Sequence, residues 1–488
     1  MSVGRLEPVE SVVEELTPVP DPWEVCRRLD HLPRLLFLDS AGPLPELGRY
    51  SFLAADPFAW LESRRGAVTW TTAGASETEH GDPFTALEHR LAAYRIEPLP
   101  SLPPFQGGAA GLFGYDLCHH IERLPRPARD EFAVPDLALG FYDWVVAFDH
   151  VANRAWILST GLPESNPVHR RVRARQRMEQ VRHLLASDKA SEKGDAALFR
   201  NGEEKELRPL FPVGDLPGVY SNFDRAGYLA AARRAIDYIH AGDCFQVNLA
   251  QRLLHRATLP PLELYDRLRR RNAAPFAGYF DLGEFALASA SPERFLRLAA
   301  GDVETRPIKG TRPRGLTQEE DERQQWALFA SAKDRAENVM IVDLLRNDLG
   351  RVCTYGSVHV EALCRLESYR TVHHLVSEVR GRLRPGLGQV DLLRAAFPGG
   401  SVTGAPKVRA MEIIAELEPT ARGPYCGSLG YLGFDGSMDT NILIRTFTIG
   451  KGWIQFPVGG GIVADSTPEG EYAETLHKAE GLLRALRE

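Results

Sequence analysis

The 488-residue sequence has no paired cysteines, no long apolar run and no surplus of basic residues. Its six cysteines are scattered without a CxxC pair, which argues against a disulfide or zinc framework and predicts reduced, mostly buried thiols. The most apolar stretch, residues 137–148, is too short to cross a bilayer and contains an aspartate. The net charge of −7 argues against nucleic-acid binding. Because the acidic, proline-broken N-terminus is unlike a signal peptide, we expect a soluble, cytoplasmic protein.

Lysine is scarce as well. Of the 58 basic residues, eight are lysines and the other 50 are arginines, so each lysine inside a motif is noticeable. Hydrophobic residues make up 44% of the chain and charged residues 25%, which are ordinary globular values. A chain of this length buries enough apolar surface to fold without disulfides or a structural metal.

Three regions follow one another along the chain. Residues 20–184 alternate short strand-like runs with glycine and proline breaks, which predicts an antiparallel sheet. Residues 185–222 are small, charged and broken by proline and glycine, which is typical of a linker or mobile loop. Residues 223–488 carry more helices and glycine-bearing loops. Because strands and helices follow in mixed order without a βαβ rhythm, the sequence predicts an α+β fold.

The C-terminal helix, predicted over 468–487 behind a threonine cap, carries the most informative local pattern. Glu471, Glu474 and Lys478 are spaced so that they project from one helix face. Two carboxylates one turn apart can share Mg²⁺, which prefers oxygen ligands. A solvated charged face is the alternative. The preceding triplet Gly459–Gly461 favours a ligand site, because glycines let a ligand approach the backbone beside a helix N-terminus.

Two further glutamates lie in apolar surroundings. Glu337 begins a helical stretch with an apolar continuation, so a carboxylate there needs a cation or an arginine as its partner. Glu293 follows the apolar run FALASAS, where a raised pKa would suit a general acid. Structural roles are the alternatives: an arginine pair for Glu337 and a capping role for Glu293.

Lys309 lies in the segment PIKGTRPRG, whose glycines and prolines restrict the backbone. A lysine held in this way can bind an anion or, where it is desolvated, act as a nucleophile. The neighbouring Arg306, Arg312 and Arg314 would help to lower its pKa if they faced it. A solvated basic loop is the alternative. The glycine-rich segment 398–407 lacks the GxxxxGK[ST] spacing, so no phosphate loop is predicted.

Eight segments, in order, cover nearly all of residues 224–482 and resemble the chorismate-utilising enzymes, which include anthranilate synthase component I, aminodeoxychorismate synthase component I and the isochorismate and salicylate synthases. They are GDCFQVNLAQR (242–252), SPERF (291–295), PIKGTRPRG (307–315), ENVMIVDLLRNDLGRV (337–352), VHHL (372–375), GGSVTGAPKVRAMEII (399–414), YCGSLGYLGFDGSMDTNILIRT (425–446) and GGGIVADSTPEGEYAETLHKAE (459–480). Residues 20–180 resemble the family's N-terminal region less specifically. The resemblance implies the family's fold, in which large antiparallel β-sheets are sandwiched and flanked by helices.

The resemblance also implies the residues of the site. Glu337, Glu471 and Glu474 match glutamates that are associated with Mg²⁺, and Glu293 matches the acid that protonates the departing C4 hydroxyl of chorismate. Further positions match residues that line the substrate, and these are Gly310, Thr311, His374, Tyr425, Arg445, Gly459 and Lys478. Mg²⁺ is therefore the implied cofactor, bridging to the C1 carboxylate of chorismate.

Two positions distinguish the subfamilies. Water-adding relatives have a lysine where this chain has Gln246, and a glutamine cannot deprotonate water at neutral pH, so ammonia is the implied nucleophile. Anthranilate synthases typically have alanine at the position of Lys309. The pattern PIKGT resembles aminodeoxychorismate synthases instead, in which the lysine is thought to attack C2 of chorismate. The implied product is 4-amino-4-deoxychorismate, the precursor of p-aminobenzoate and folate.

The implied partner is a separate glutamine amidotransferase subunit in a heterodimer, because the sequence shows no recognisable glutaminase segment. Anthranilate synthase component I is the alternative function, and an amino-acid-sensing binding subunit with a degenerate site is a third. The segments LLFLDSA and GRYSFLAADP also resemble the region where anthranilate synthases bind tryptophan. This resemblance implies a structural or regulatory tryptophan site at Ser40, next to Asp39.

Overall fold

Two large antiparallel β-sheets lie at the centre of the structure, a computed structural model that describes residues 11–40, 47–186, 210–369 and 372–487. The described strands are β1 (Val12–Glu15), β2 (Leu36–Asp39), β3 (Tyr50–Ala54), β4 (Ala59–Arg64), β5 (Ala67–Thr72), β6 (Ala75–His80), β7 (Gly108–Phe113), β8 (Leu137–Tyr142), β9 (Trp144–Asp149), β10 (Arg154–Ser159), β11 (Phe211–Pro212), β12 (Val219–Ser221), β13 (Gln246–Arg256), β14 (Phe276–Asp281), β15 (Phe285–Ser291), β16 (Arg294–Ala299), β17 (Asp302–Arg306), β18 (Ile308–Pro313), β19 (His359–Ser368), β20 (Val372–Arg382), β21 (Gly404–Ala405), β22 (Ser428–Gly433), β23 (Met438–Asn441), β24 (Thr446–Gly450) and β25 (Trp453–Ile462).

The described helices are α1 (Pro22–Leu29), α2 (Pro83–Ala92), α3 (Pro167–Ala186), α4 (Arg225–His240), α5 (Pro261–Arg271), α6 (Gln318–Phe329), α7 (Ala332–Gly350), α8 (Gln389–Ala396), α9 (Lys407–Leu417) and α10 (Pro468–Leu486). Two short 3₁₀ turns span Tyr115–His120 and Gly400–Val402.

Within the described ranges, the first sheet has 13 strands in the order β1-β10-β9-β3-β2-β14-β15-β24-β25-β13-β12-β11, with β21 paired to β13. The second has 12 strands in the order β18-β20-β17-β16-β23-β22-β7-β8-β4-β5-β6, with β19 paired to β20. Neighbouring strands are antiparallel across both sheets. The predicted α+β class with antiparallel sheets is therefore confirmed.

The two sheets pack face to face through aromatic side chains. The ring of Phe52 in the first sheet lies 5.8 Å from that of Tyr431 in the second, and the rings of Trp60 and Phe280 are 5.9 Å apart. Helices α3, α5 and α10 pack on the outer face of the first sheet, and α2, α7 and α8 pack against the second. Each sheet thus buries both of its faces, which explains why so many strands have no alternating polar side.

Both sheets take strands from both ends of the chain. Because β2 pairs with β14 and β7 pairs with β22, residues 20–184 and 223–488 share each sheet and do not fold as separate units. The linker predicted over 185–222 also needs correction. Residues 187–209 lie outside the described residues, but β11 and β12 extend the first sheet beside β13. Val213 and Val219 are buried there. The charged residues and prolines around these two valines made the stretch resemble a linker in the sequence.

The predicted helix ends are confirmed by their caps. The carboxylate of Asp224 accepts the Gly227 N–H at 2.7 Å before α4, and the Thr467 hydroxyl accepts the Gly470 N–H at 3.3 Å before α10. All six cysteines are buried and form no disulfide, as predicted. Among the described helices, none is both long enough and apolar enough to span a membrane.

Candidate active site

The candidate site lies where the two sheets meet. Lys309 and His374 come from β18 and β20 of the second sheet, whereas Gln246 and Gly459 come from β13 and β25 of the first. Glu293 lies in the connection from β15 to β16, which passes from one sheet to the other. Long-range strand pairing therefore collects residues that are widely separated in the sequence.

The Lys309 amine is held by the main chain of the Gly400–Val402 turn. Its Nζ donates a hydrogen bond to the carbonyl oxygen of Ser401 at 3.0 Å. The next residue, Gly310, forms a bulge in β18 with a φ of 81°, a conformation that glycine adopts without strain. Loss of hydration lowers the pKa of Lys309, the Glu337 carboxylate opposes this shift, and the Lys478 ammonium adds to it. At a given pH, a larger fraction of this amine is therefore neutral than in an exposed lysine.

The neighbouring arginines are not among the main causes of this shift, so the condition under which they would lower the pKa is not met. Each is already paired with a carboxylate. The pairs are Arg306 with Glu367 and Glu378, Arg312 with Asp334, and Arg314 with Asp321. A neutralised guanidinium exerts little net repulsion on a nearby ammonium, so dehydration and Lys478 are the causes that remain.

Glu293 is 4% exposed, and its carboxyl lies near the Ser401 hydroxyl and the Ile308 N–H. Burial raises its pKa to about 7, and the Ser401 hydroxyl and the Lys309 charge only partly oppose this shift. The raised pKa agrees with the sequence expectation for a general acid. Its side chain is not placed as a helix cap, the alternative role.

Glu471 and Glu474 converge on the backbone of β25. A Cβ atom added to Gly460 would lie 2.9 Å from Glu471 Oε2 and 3.1 Å from Glu474 Oε1, so the middle glycine of the triplet leaves room for both carboxylates. Glu474 pairs with Lys478 at 2.7 Å, and Lys478 Nζ also donates to the Gly459 carbonyl at 2.9 Å. Because Glu471 is only 4% exposed, a fully solvated charged face is not what the structure shows.

Glu337 is the third carboxylate of this group. Its described ion-pair partner is Lys333, one helical turn earlier at 4.0 Å, in place of the arginine considered as an alternative. Burial raises the pKa of Glu337 and of Glu471. The Glu474 side chain is 44% exposed; partial loss of hydration acts in the same direction on it, but Lys478 outweighs this and lowers the pKa of that carboxyl. The carboxylates thus lie among lysines that balance their charge.

This group suits a divalent cation. Glu471 Oε2 is buried without a hydrogen-bond partner, so a cation would satisfy an otherwise unpaired anionic atom. In the part of the chain that the structure describes, no three acidic, histidine or cysteine side chains form a complete metal cluster. Mg²⁺ usually binds only one or two protein carboxylates and completes its shell with water and substrate oxygens. The residues present therefore fit Mg²⁺ shared with an anionic substrate.

Arg445 provides a place for an anion. Its guanidinium donates to the Lys478 carbonyl but has no carboxylate partner within the described ranges. Desolvation lowers the pKa of Arg445, and the buried Tyr425 lies close enough to interact with it. An arginine that is dehydrated without an acid is stabilised when an anionic ligand supplies the missing charge.

His374 and Thr311 complete the wall beside Arg445. His374 Nδ1 lies 2.8 Å from Thr311 Oγ1. Burial, together with the Arg445 charge, lowers the pKa of His374 to about 4. The imidazole is therefore neutral at physiological pH and can hydrogen-bond a substrate oxygen without adding charge.

Gln246 is fully buried, and neither its amide oxygen nor its amide nitrogen has a hydrogen-bond partner. A Cβ atom on Gly461 would lie 2.4 Å from Gln246 Nε2, so glycine at that position makes room for the amide. An unpaired buried amide is costly, and a polar ligand would remove this cost.

Ser40 is not part of this group. Its hydroxyl donates to the Tyr50 carbonyl at 2.5 Å, and its N–H donates to Ser51 Oγ at 3.0 Å. The neighbouring Asp39 accepts a hydrogen bond from Arg269 at 2.7 Å. The tryptophan site at Ser40 stays a prediction, and the adjacent residues 41–46 lie outside the described residues.

Two residues of the site escaped the sequence analysis. Lys333 lies four positions before Glu337, a spacing that predicts a helical ion pair and that a lysine-poor sequence makes visible. Ser401 offers no comparable signal, because its contacts with Lys309 and Glu293 depend on tertiary structure.

Comparison with known proteins decides the family. A family described as chorismate binding enzyme matches residues 50–484. The chain is a member of the chorismate-binding enzyme family. This chorismate-binding enzyme is 42% identical over 459 residues to aminodeoxychorismate synthase component 1 of Salmonella typhimurium, with 94% of each chain covered. It is 44% identical over 426 residues to anthranilate synthase component 1 of Thermus thermophilus, with 85% of each covered.

A solved structure confirms the predicted fold. Anthranilate synthase component I from Streptococcus pneumoniae matches with a TM-score of 0.74 at 31% identity, covering 89% of this chain and 92% of that one. The menaquinone-specific isochorismate synthase of Escherichia coli shares the fold with a TM-score of 0.70 at 19% identity, covering 98% of this chain and 94% of that one. The chorismate-binding fold inferred from the eight segments is therefore correct.

The raised pKa of Glu293 predicts a pH-dependent stability. A carboxyl whose pKa is about 7 when folded and 4.5 when unfolded stabilises the fold below 4.5, and this contribution is lost as the pH rises through 7. Glu293→Gln removes the titration. Urea denaturation measures the free energy of unfolding of the variant and of the wild type. We expect the difference, variant minus wild type, to increase by about 2 kcal/mol from about pH 5 to about pH 8. Glu88→Gln, an exposed control on α2, should show no such gain, and an equal gain in both variants would contradict the assignment.

Proposed function

We propose that this chorismate-binding enzyme is an aminodeoxychorismate synthase component I, which converts chorismate and ammonia to 4-amino-4-deoxychorismate for p-aminobenzoate and folate synthesis. The observation that carries the proposal is the Lys309 amine bound to the Ser401 carbonyl beside the buried acid Glu293. The 42% identity to the Salmonella typhimurium enzyme supports it. Because identity to an anthranilate synthase is comparable, the proposal rests on the site chemistry and not on sequence identity.

Chorismate carries two carboxylates, and the site offers two matching places. Arg445, which has no carboxylate partner within the described ranges, suits the enolpyruvyl carboxylate, with Tyr425 beside it. The C1 carboxylate would lie toward Glu471 and Glu474, where bound Mg²⁺ would neutralise it. Glu337 would add a further negative charge that holds the cation. The backbone at Gly310 and Gly459 and the side chains of Thr311, His374 and Lys478 would line the ring.

The first chemical step uses a neutral amine and a protonated acid. Lys309 Nζ forms a bond to C2 of chorismate, the two conjugated ring double bonds shift to C1=C6 and C4=C5, and the bond from C4 to its hydroxyl oxygen breaks. Glu293 donates its proton to this oxygen, so that water departs instead of hydroxide. The substrate is then attached to Lys309 through a secondary ammonium, and Glu293 is ionised.

The second step reverses the shift with a new nucleophile. Ammonia attacks C4, both ring double bonds return to their original positions, and the bond from C2 to Lys309 breaks, which regenerates the amine. The new ammonium group at C4 gives a proton to Glu293 and restores the starting state. The Gln246 amide can hydrogen-bond ammonia but cannot deprotonate water, so amination is favoured over hydration. In sum, ammonia replaces the hydroxyl and one water is released, while the enolpyruvyl group stays.

Ammonia would come from a glutamine amidotransferase subunit that forms a heterodimer with this chain. The name component 1, carried by relatives of both subfamilies, supports the presence of a second component. A protein partner that releases ammonia next to the site would also raise its local concentration, because most ammonia is protonated and not nucleophilic at neutral pH.

Anthranilate synthase component I is the second candidate, favoured by the 44% identity to the Thermus thermophilus protein. In that reaction ammonia would bond to C2 and pyruvate would be lost to give an aromatic product. Lys309 disfavours this course, because its amine would occupy the approach to C2.

We expect the purified chain, supplied with chorismate, Mg²⁺ and an ammonium salt, to form 4-amino-4-deoxychorismate without pyruvate. The reason is that Lys309 directs the nitrogen to C4. Liquid chromatography with mass detection identifies the product, and a coupled lactate dehydrogenase assay measures pyruvate. Glutamine as the sole nitrogen source serves as the control and should support no turnover until a glutaminase partner is added. Stoichiometric pyruvate with fluorescent anthranilate would establish the second candidate instead.

A covalent adduct at Lys309 should accumulate when ammonia is withheld, because the second step then has no nucleophile. Intact-mass and peptide mass spectrometry locate the added mass. Lys309→Ala should lose the adduct and keep residual activity that drifts toward anthranilate, whereas Lys451→Ala, which removes an exposed lysine, should form the adduct as the wild type does. Absence of any adduct in the wild type, together with full activity of Lys309→Ala, would rule out the covalent step.

Glu471→Gln should abolish turnover or raise the Mg²⁺ concentration needed for half-maximal rate by about tenfold or more, because it removes one anionic ligand. Glu469→Gln, exposed on the same helix, is the matched control and should leave the Mg²⁺ dependence unchanged. Circular dichroism checks that both variants are folded. A wild-type rate and Mg²⁺ response in Glu471→Gln would show that this carboxylate belongs to a charged helix face only.

A further inference from the structure

One turn of main chain touches both groups that react in the proposed amination. The Ser401 carbonyl oxygen accepts a hydrogen bond from Lys309 Nζ at 3.0 Å, and the Ser401 hydroxyl lies close enough to the Glu293 carboxyl to stabilise its ionised form. Ser401 itself is only 7% exposed. The nucleophile must reach C2 of the ring while the acid reaches the oxygen on C4, so the separation of the two groups has to match the substrate.

The turn that carries Ser401 is firmly packed. Arg422 Nη1 donates to the Val402 carbonyl at 3.0 Å, directly after Ser401. Directly before it, a Cβ atom on Gly400 would lie 2.6 Å from Leu344 Cδ2, so the backbone rests against α7 with no space for a side chain. A turn fixed from both sides can hold two catalytic groups in one geometry.

We propose that Ser401 is a positioning residue that sets the nucleophile and the acid on one rigid turn, an inference that rests on the proposed function. A neutral amine that donates one N–H to the Ser401 carbonyl keeps its lone pair free for C2. The Ser401 hydroxyl donates to one oxygen of Glu293, which leaves the other oxygen to carry the proton toward the C4 hydroxyl. Ser401 thereby selects the rotamers in which both groups can act.

The hydroxyl also affects how Glu293 titrates. Its hydrogen bond stabilises the ionised carboxylate, so removal of the hydroxyl raises the pKa of Glu293 further. The other described titratable groups that interact with Glu293 are Lys309 and the Cys426 thiol, and the substitution alters neither. The loss of activity at high pH, where Glu293 ionises, should therefore move upward.

The test compares Ser401→Ala, Ser401→Thr and Ser221→Ala. Ser221 is the control, because it is a buried serine whose hydroxyl donates one hydrogen bond, to Gln251 at 2.8 Å, outside the site. In Ser401→Ala we expect kcat to fall about 10- to 100-fold with little change in KM for chorismate, and the high-pH limb of kcat to move up by about one pH unit. In Ser401→Thr, which keeps the hydroxyl, kcat should fall at the same high pH as in the wild type.

The proposal is wrong if Ser401→Ala keeps the wild-type limb, or if Ser401→Thr shifts the limb as far as Ser401→Ala. It is also wrong if Ser221→Ala reproduces the same change, because the effect would then reflect a general loss of stability. Product analysis of the wild type is done in the same experiment. If that product is anthranilate, the proposed function fails while the pH limb still reports on Ser401, since the C4 hydroxyl must be protonated in either reaction.

Discussion

Desolvation at the junction of the two sheets is the constraint on which the proposed chemistry depends. The same loss of hydration lowers the pKa of Lys309 and raises the pKa of Glu293, so both groups shift toward their neutral forms. In water near neutral pH a lysine is charged and a glutamate is ionised, which is the wrong state for a nucleophile and for an acid. Dehydration therefore prepares the two partners of one reaction together.

The fold produces this junction because neither end of the chain forms a sheet alone. Strand β13 brings Gln246 to the first sheet, β18 brings Lys309 to the second, and the crossing connection between β15 and β16 places Glu293 between them. On the far side, α10 presents Glu471 and Glu474 to the glycine triplet of β25. Acid–base groups and carboxylates for a cation thus come from different elements, and Glu337 and Lys478 couple them through their effect on the pKa of Lys309.

Local features of the fold could be predicted from the sequence, because they depend on near neighbours. The helices behind Asp224 and Thr467 begin at capping side chains, and their ends agree with the structure. The extension of the sheet by β11 and β12 could not, since it depends on the pairing of β12 with β13, which lies more than 30 residues away in the sequence. The same limit applies to the site: resemblance to a family placed Lys309 and Glu293, but the Ser401 contacts that join them arise from tertiary structure.

In the proposed mechanism, the Lys309 amine is partly dehydrated and therefore neutral more often than an exposed lysine. The chain has only eight lysines, so ¹³C labelling of the side-chain carbon next to Nζ gives a simple NMR spectrum. The signal that is missing from the spectrum of Lys309→Gln belongs to Lys309. A pH titration of this signal in the ligand-free protein measures its pKa directly. We predict a midpoint clearly below the ordinary 10.5. A midpoint at or above 10.5, equal to that of the exposed lysines, would contradict the proposed role of Lys309.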